Sequence, residues 1–367
     1  MKIKIAFAGR DLGKFTTGVQ KNNLGFIKAL SQYNKKYEIH LYYSQKNHLG
    51  LFPENHEHCL SCQSKLIWDH VLFPFALKRD AIDIAVFPKG TKSILSPTKD
   101  LVIINDLGYF YPELNAYKTL DTIYMKNMMR YAANHAWGVF TISEATRRDV
   151  IKHLIPNQEN KVKTIYCASN NHYSRVTDLL ILNQVKEKYN LQFPFIFYPT
   201  SISPRKNIMG MLDAWKLVKG DIPHHLYLTG GMDWKSNEVF RRFADSDFER
   251  IHLLGCVKES DMPVIYSLSD FVIYISLFEG FGLPVLEAMS CGVPVMASDI
   301  SSIPEVTGDS ALLIDPYSVQ SIAAGLKQMA NDETLKETLS KKGSQQTKLF
   351  SWERTGEEMI KWIELHL

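Results

Sequence analysis

The stretch "SLFEGFGLPVLEAMSCGVPV", Ser276 to Val295, sets Glu279 and Glu287 eight positions apart in an apolar run that also holds three glycines and two prolines. Just upstream, Phe271 to Ser276 reads as a strand, being rich in β-branched and aromatic residues. Leu277 to Leu283 then reads as a tight loop. Pro284 reads as the first residue of a helix, where its missing N–H costs nothing. That helix stops at Gly292, with Pro294 just beyond, and "VPVMAS" begins a new strand. Strand, turn, helix and strand in this order make a βαβ unit, and a βαβ unit requires a parallel sheet.

The same alternation extends over the whole chain. Ile3 to Ala8, Glu38 to Tyr43, Ile82 to Phe87, Leu101 to Asn105 and Val139 to Ser143 are strand candidates. A second series follows Asn190, through "FPFIFYPTS", "HHLYLTG", "RIHLLG", "FVIYIS", "VPVMAS" and "ALLID". These runs lack strict alternation, as expected of strands covered on both faces. With 367 residues, two domains of ordinary size are expected. The fold class predicted is α/β, with two doubly wound, Rossmann-like parallel sheets facing each other across a cleft. The polar segment Cys167 to Asp178 marks the join.

Composition narrows the function classes. The chain opens directly on a strand pattern, and its longest apolar runs fall far short of a membrane span. Five cysteines form no regular framework, which fits a reducing compartment. A cytoplasmic protein is the expectation. Net charge is +3, but residues 1–180 hold 24 Lys and Arg against 15 Asp and Glu, a balance of +9, and the remainder is at −6. A basic N-terminal half, with apolar stretches such as "HVLFPFALKR" (His70 to Arg79), suits an anionic membrane surface, and so a peripheral place on the inner face of the membrane. No interleaving of aromatics with Arg points to nucleic acid.

Open α/β sheets bind ligands beyond the carboxyl ends of their strands. At that edge Gly280 and Gly282 let the backbone come close to a ligand, and the helix start favours an anion. Glu287, read into the first helical turn, suits a vicinal diol such as a ribose, because a carboxylate accepts hydrogen bonds from both hydroxyls. Glu279 is placed to meet whatever lies on the far side of the phosphate. The arrangement fits a nucleotide sugar.

These residues resemble the signature of the retaining glycosyltransferases of family 4, the group 1 transferases of GT-B fold, whose Glu, seven residues, Glu motif is matched by Glu279 and Glu287. "YPTSISPRKNIMGMLDAW" (Tyr198 to Trp215) resembles the family's basic diphosphate-binding turn. "VFTISEATRRDVIKHL" (Val139 to Leu154), "SSIPEVTGDSALLIDP" (Ser301 to Pro316) and the closing "FSWERTGEEMIKWIEL" (Phe350 to Leu365) resemble further family segments in the expected order. The resemblance implies an acceptor-binding domain of residues 1–173 plus 350–367 and a nucleotide-sugar domain of 174–349. It implies that Arg205 and Lys206 neutralise the leaving diphosphate, with Glu279 beside them. Ser201, Val257, Gly280, Phe281, Gly282, Leu283 and Glu287 would form the donor site. Gly18, in "FTTGVQKN", resembles the family's glycine turn near the donor phosphate.

One departure stands out. Many relatives carry His-Asp after the fourth N-domain strand, whereas "VIINDLGYFYPE" places Asn105 at the histidine's position, followed by Asp106. An amide can bond a sugar hydroxyl but cannot relay a proton. The family's retaining transfer resembles a front-face substitution in which the departing phosphate oxygen takes the acceptor proton, so no protein base is obligatory. Asp106 is open to two readings, orienting the acceptor or supporting its loop.

Other constellations carry less. "NHEHCLSCQ" offers His56, His58, Cys59 and Cys62, but no second pair at zinc-finger spacing follows, and it reads as a variable surface loop. "DSD" (Asp245 to Asp247) reads as a polar turn. There is no GxxxxGK[ST]. No cofactor or metal is expected. The function expected is transfer of a hexose-type sugar from a nucleoside diphosphate to a glycan or lipid-linked acceptor. The competing readings are a nucleotide-sugar epimerase of similar fold and a non-catalytic nucleotide-sugar or polyanion binder.

Overall fold

The computed structural model describes residues 2–10, 12, 18–230 and 249–367. The chain divides into two units: Met1–Phe110 with Lys118–Ala168 and Phe350–Leu367, and Tyr111–Tyr117 with Ser169–Leu349.

The first unit is built on a sheet of β1 (Lys4–Ala8), β2 (Glu38–Tyr43), β3 (His56–Cys59), β4 (Ile84–Phe87), β5 (Lys99–Ile104), β6 (Gly138–Thr141) and β7 (Val162–Thr164). Their order across the sheet is β3-β2-β1-β4-β5-β6-β7, and each neighbouring pair is parallel. The second unit carries β8 (Phe195–Pro199), β9 (His225–Thr229), β10 (Ile251–Gly255), β11 (Phe271–Tyr274), β12 (Val295–Ser298) and β13 (Ala311–Ile314). Their order is β10-β9-β8-β11-β12-β13, again parallel throughout. All residues of β4, β6, β8, β11 and β12 are buried, which is why their sequences run apolar without alternation.

Most expected strands appear within a residue or two of their predicted bounds. Two edge strands do not stand out in the sequence, β3 and β7. β3 corrects the surface-loop reading of "NHEHCLSCQ", because His56–Cys59 pairs in register with β2, His40 beside His56. Its polar "HEHC" has no local strand signature, so the pairing partner supplies what propensity does not. "DSD" lies outside the described residues.

The closing helix, Trp352–His366, packs within the first unit against helix Gly18–Ser31. Trp352 lies edge-on to Phe26, ring centroids 5.4 Å apart, and fills the space where a Cβ on Gly25 would stand, 2.0 Å from its ring. Trp362 sits edge-on to Trp137 and Phe140 at 5.0 and 5.4 Å. Full burial of each such ring is worth about 1.5–3 kcal/mol.

Both sheets reverse direction next to their first strand. In the second unit the chain runs outward from β8 to β9 and β10, then returns to β11 on the other side of β8. The crevice beyond the carboxyl ends of β8 and β11 is therefore the place where this topology receives a ligand. Among the described residues no helix is long and apolar enough to cross a membrane.

Candidate active site

The turns after β8 and β11 meet at that reversal. Pro204–Lys206 forms a single 3-10 turn, and the N–H of Leu277 donates to the Arg205 carbonyl at 2.8 Å, tying the two turns together by backbone. Asn207 follows in the left-handed region and donates through Nδ2 to the Pro316 carbonyl at 2.6 Å, after which helix Ile208–Val218 begins. Arg205 and Lys206 thus precede this helix rather than starting it.

Lys206 is buried, and its Nζ donates to Glu279 Oε1 at 2.5 Å and to the Tyr274 hydroxyl at 2.7 Å. Tyr198, at the end of β8, donates its hydroxyl to the Lys206 carbonyl. Glu279 is 7% exposed. Burial alone pushes its carboxyl up, but the charges of Lys206 and Arg205 outweigh that and hold it below the usual carboxylate range. Its backbone is pinned from the turn after β12, where Ser301 and Ser302 donate to the Glu279 carbonyl at 2.6 and 3.0 Å. The result is a rigid, dry ion pair with Arg205 beside it.

Gly280, Phe281 and Gly282 are buried in the loop that leads into helix Leu283–Ser290. Gly282 must be glycine on two counts: its φ is 102°, and a Cβ there would lie 2.6 Å from Ile303 Cδ1. No side chain caps this helix, and Pro284 follows Leu283 in its first turn. The first turn holds no acidic residue. Glu287 is the fifth residue of the helix, not part of the first turn as the sequence suggested, because the helix starts at Leu283 and is only eight residues long. It is 3% exposed, and Tyr266 donates its hydroxyl to Oε2 at 3.1 Å. Tyr173 donates to Glu259 at 2.8 Å; burial, then the charges of Glu287 and Glu259, raise its pKa far above the usual phenol range. Tyr266 and Tyr173 thus both lie beside the Glu287 carboxylate. Ser201 is half-buried after β8, and the Gly230 backbone is so close that a Cβ there would lie 2.9 Å from Ser201 Cα. Val257 is half-buried in the loop after β10.

Residues 182–346, which hold all of these groups except Tyr173, match the family model described as "Glycosyl transferases group 1". Over residues 182–346 the chain belongs to the group 1 glycosyl transferases. An Escherichia coli O-antigen chain mannosyltransferase B is 33% identical over 246 residues, 66% of this chain and 64% of that one. The serotype-specific mannosyltransferase WbdA of Escherichia coli is 29% identical over 271 residues, 71% of this chain and 32% of that one. The chain thus spans less than two thirds of the length of either relative. Anabaena Alr3699/HepE, solved in complex with UDP-glucose, superposes with a TM-score of 0.77 at 18% identity, covering 99% of each chain. The fold of the chain is therefore of the GT-B type.

The remaining predicted residues lie in the first unit of the chain. Asn105, at the end of β5, donates through Nδ2 to the Pro88 carbonyl at 2.9 Å and accepts from Asn22 Nδ2 at 3.2 Å. Asp106 accepts the Gly108 N–H at 2.9 Å, which fits the loop-supporting role. Gly18 is the first residue of its helix, and among the described residues nothing lies within 4 Å of a Cβ placed there; Phe15–Thr17 before it lie outside the described residues. Sequence reasoning did not single out Tyr198, Tyr274, Tyr266, Tyr173, Ser301 or Ser302. The available signal was a phenol at the carboxyl end of each central strand, in "FIFYP" and "FVIY", because a buried tyrosine hydroxyl needs a polar partner.

Proposed function

We propose that this glycosyl transferase moves a hexose, mannose before others, from a nucleoside diphosphate to a hydroxyl of a surface polysaccharide or its lipid-linked precursor, with retention at the anomeric carbon. The observation that carries the reading is the Arg205–Lys206 turn bonded to Glu279 at the reversal between β8 and β11. The mannosyltransferase relatives favour the sugar, and the O-antigen chain for which one of them is named favours the acceptor class.

In this reading residues 174–349 hold the donor and residues 1–173 with 350–367 the acceptor. Arg205 and Lys206 face the diphosphate, whose charge grows as the sugar departs; donors fixed in a dry site stabilise that charge without reorganising. Glu279 holds Lys206 in place and meets the sugar. The uncapped start of helix Leu283–Ser290 faces a phosphate, and Glu287 accepts the ribose hydroxyls. The diphosphate oxygen that leaves takes the acceptor proton on the same face, so Asn105 needs only to bond a hydroxyl.

Lys65 to Arg79 is a continuous run of helical turns. Trp68, Phe73 and Leu77 are buried, while Ile67, Val71 and Phe75 are exposed at a spacing of four. Lys65, Lys78 and Arg79 flank that stripe. We assign it to an anionic lipid surface, where apolar contact and basic charge act together.

The test is a panel of GDP-mannose, UDP-glucose, UDP-galactose and dTDP-glucose, scored by thermal stabilisation and then by transfer to a mannose-bearing acceptor, with the product's anomeric configuration read by NMR. One donor is expected to stabilise the protein by about 2.7 kcal/mol at a hundred times its dissociation constant. Its sugar should appear on the acceptor with configuration retained. Failure of every donor to bind, or conversion of a donor with no acceptor present, would overturn the reading. Vesicles with anionic lipid should bind the protein and neutral vesicles should not; equal binding would remove the membrane assignment.

A further inference from the structure

The edge of the first unit's sheet carries a cluster that sugar transfer does not use. Side chains alternate along a strand, so Glu38, His40 and Tyr42 share one face of β2, and His56 and His58 share the same face of β3. The parallel register sets His40 beside His56 and Tyr42 beside His58. His40 and His56 stack with ring centroids 4.8 Å apart, and His40 and His58 with centroids 5.2 Å apart. Glu38 Oε1 lies 3.0 Å from His40 Nε2 and 3.7 Å from His56 Nε2. One ligand atom from each of Glu38, His40 and His56 falls within 4.8 Å of the other two.

We propose that Glu38, His40 and His56 form a binding site for a transition-metal dication of the zinc class. Two ligands about 2.0–2.1 Å from a tetrahedral zinc ion are roughly 3.3 Å from each other, and the two Glu38 to histidine distances bracket that value. The outer groups are in place as well. His40 is 4% exposed, and its Nδ1 meets His58 Nε2 at 2.9 Å. His58 Nδ1 in turn faces Asp80 Oδ2 at 4.0 Å, and Asp80 is held by the Tyr42 hydroxyl at 2.8 Å and by Arg79 at 2.7 Å. With the His40 proton on Nδ1, donated to His58, and the His58 proton on Nδ1, directed at Asp80, the lone pair of His40 Nε2 points at the Glu38 carboxylate. In that tautomer a bound ion takes the place of the proton that otherwise joins His40 Nε2 to Glu38 Oε1 at 3.0 Å. An imidazole bonded to the outer nitrogen orients a metal ligand, and Asp80, beyond hydrogen-bond distance of His58, adds its negative charge.

Access suits the proposal. The His56 side chain is 59% exposed and that of Glu38 30%, so an ion reaches the site from solvent and keeps a position for water. A bound ion joins the edge strand β3 to β2 through side chains, at the place where the strand signature in the sequence is weakest. Imidazole and carboxylate ligands select zinc, nickel or cobalt over magnesium and calcium.

The experiment uses the full chain, free of any histidine tag and stripped with chelator, titrated with cobalt(II) under visible absorption and with zinc by calorimetry; magnesium is the control. One ion per chain is expected, with a tetrahedral-type cobalt spectrum and no response to magnesium. His56→Ala, at an exposed position, and Glu38→Gln, at a half-buried one but nearly isosteric, should each lower zinc affinity tenfold or more and abolish the cobalt spectrum. His58→Ala, which removes a positioning residue, should weaken binding about 10- to 100-fold while one ion still binds. Cys59→Ser and Cys62→Ser should change nothing. Absence of binding to the parent protein, or parental affinity in either His56→Ala or Glu38→Gln, would overturn the assignment.

Discussion

The two units share a strand order around their first strand but place different chemistry at the reversal point. In the second unit the turns after β8 and β11 bury an ion pair, Lys206 with Glu279, beside a second cation. In the first unit the chain after β5 offers neutral amides, Asn105 bonded to Asn22 and to the Pro88 carbonyl. Topology opens a crevice in both. In the proposed function the buried charges of the second unit take the polyphosphate, and the amides beside Asp106 in the first unit take hydroxyls.

The largest effect expected is at Lys206. Lys206→Ala should cut kcat by roughly 10² to 10³, the cost of losing one fixed donor to a developing anion. It should also lower stability by about 3–5 kcal/mol, because Glu279 is left as a buried, unpaired charge. The double variant Lys206→Met with Glu279→Gln removes both charges and should restore most of the stability, read by denaturant unfolding, while kcat stays low. Recovery of kcat together with stability would mean that the pair only supports the fold, and the contrast between the units would collapse.

Glu287→Gln comes next. Losing the charged acceptor of two ribose hydroxyls is worth about 1.5–3 kcal/mol, or roughly 10- to 100-fold in donor dissociation constant measured by calorimetry. An unchanged constant would place the ribose elsewhere. Gly25→Ala, away from both crevices, should leave donor affinity alone and cost about 1–3 kcal/mol, since the new methyl meets the Trp352 ring. Asn105→Ala sharpens the comparison from the other side: stability should fall by about 0.5–1.5 kcal/mol and donor affinity should hold. A loss in kcat as large as that of Lys206→Ala would make Asn105 part of the charge chemistry.

The smallest effect is in pH. The folded pKa of Glu279 lies below the usual carboxylate range, so its contribution to stability is fully present above the unfolded value and is lost as pH falls through the folded one. Thermal unfolding of the parent and of Glu279→Gln should therefore converge as the solution is made acid across that window. Curves that stay parallel would show that Glu279 is not held ionised by its neighbours.

Much of this contrast was legible in the residues. "FVIYIS" to "VPVMAS" declared a βαβ unit because Gly, Pro and apolar runs fix their own geometry, and the basic turn at Arg205 and Lys206 followed from its place after "FPFIFYP". Burial and partners were not legible. The depth of Glu287, fifth in its helix, comes from packing against Tyr266, a contact between residues 21 apart that no local pattern announces. The phenols of Tyr198 and Tyr274 read as strand residues, since only the folded sheet brings their hydroxyls to Lys206. The polar edge strand β3 read as loop because its identity comes from pairing with β2.

The most direct test compares the affinity of the parent and of Lys206→Ala for a nucleoside diphosphate and for the same nucleoside without phosphate. The parent should prefer the diphosphate by a wide margin, and in Lys206→Ala that preference should shrink at least tenfold while nucleoside affinity is kept. An undiminished preference in the variant would contradict the claim that the β8 and β11 turns grip the polyphosphate.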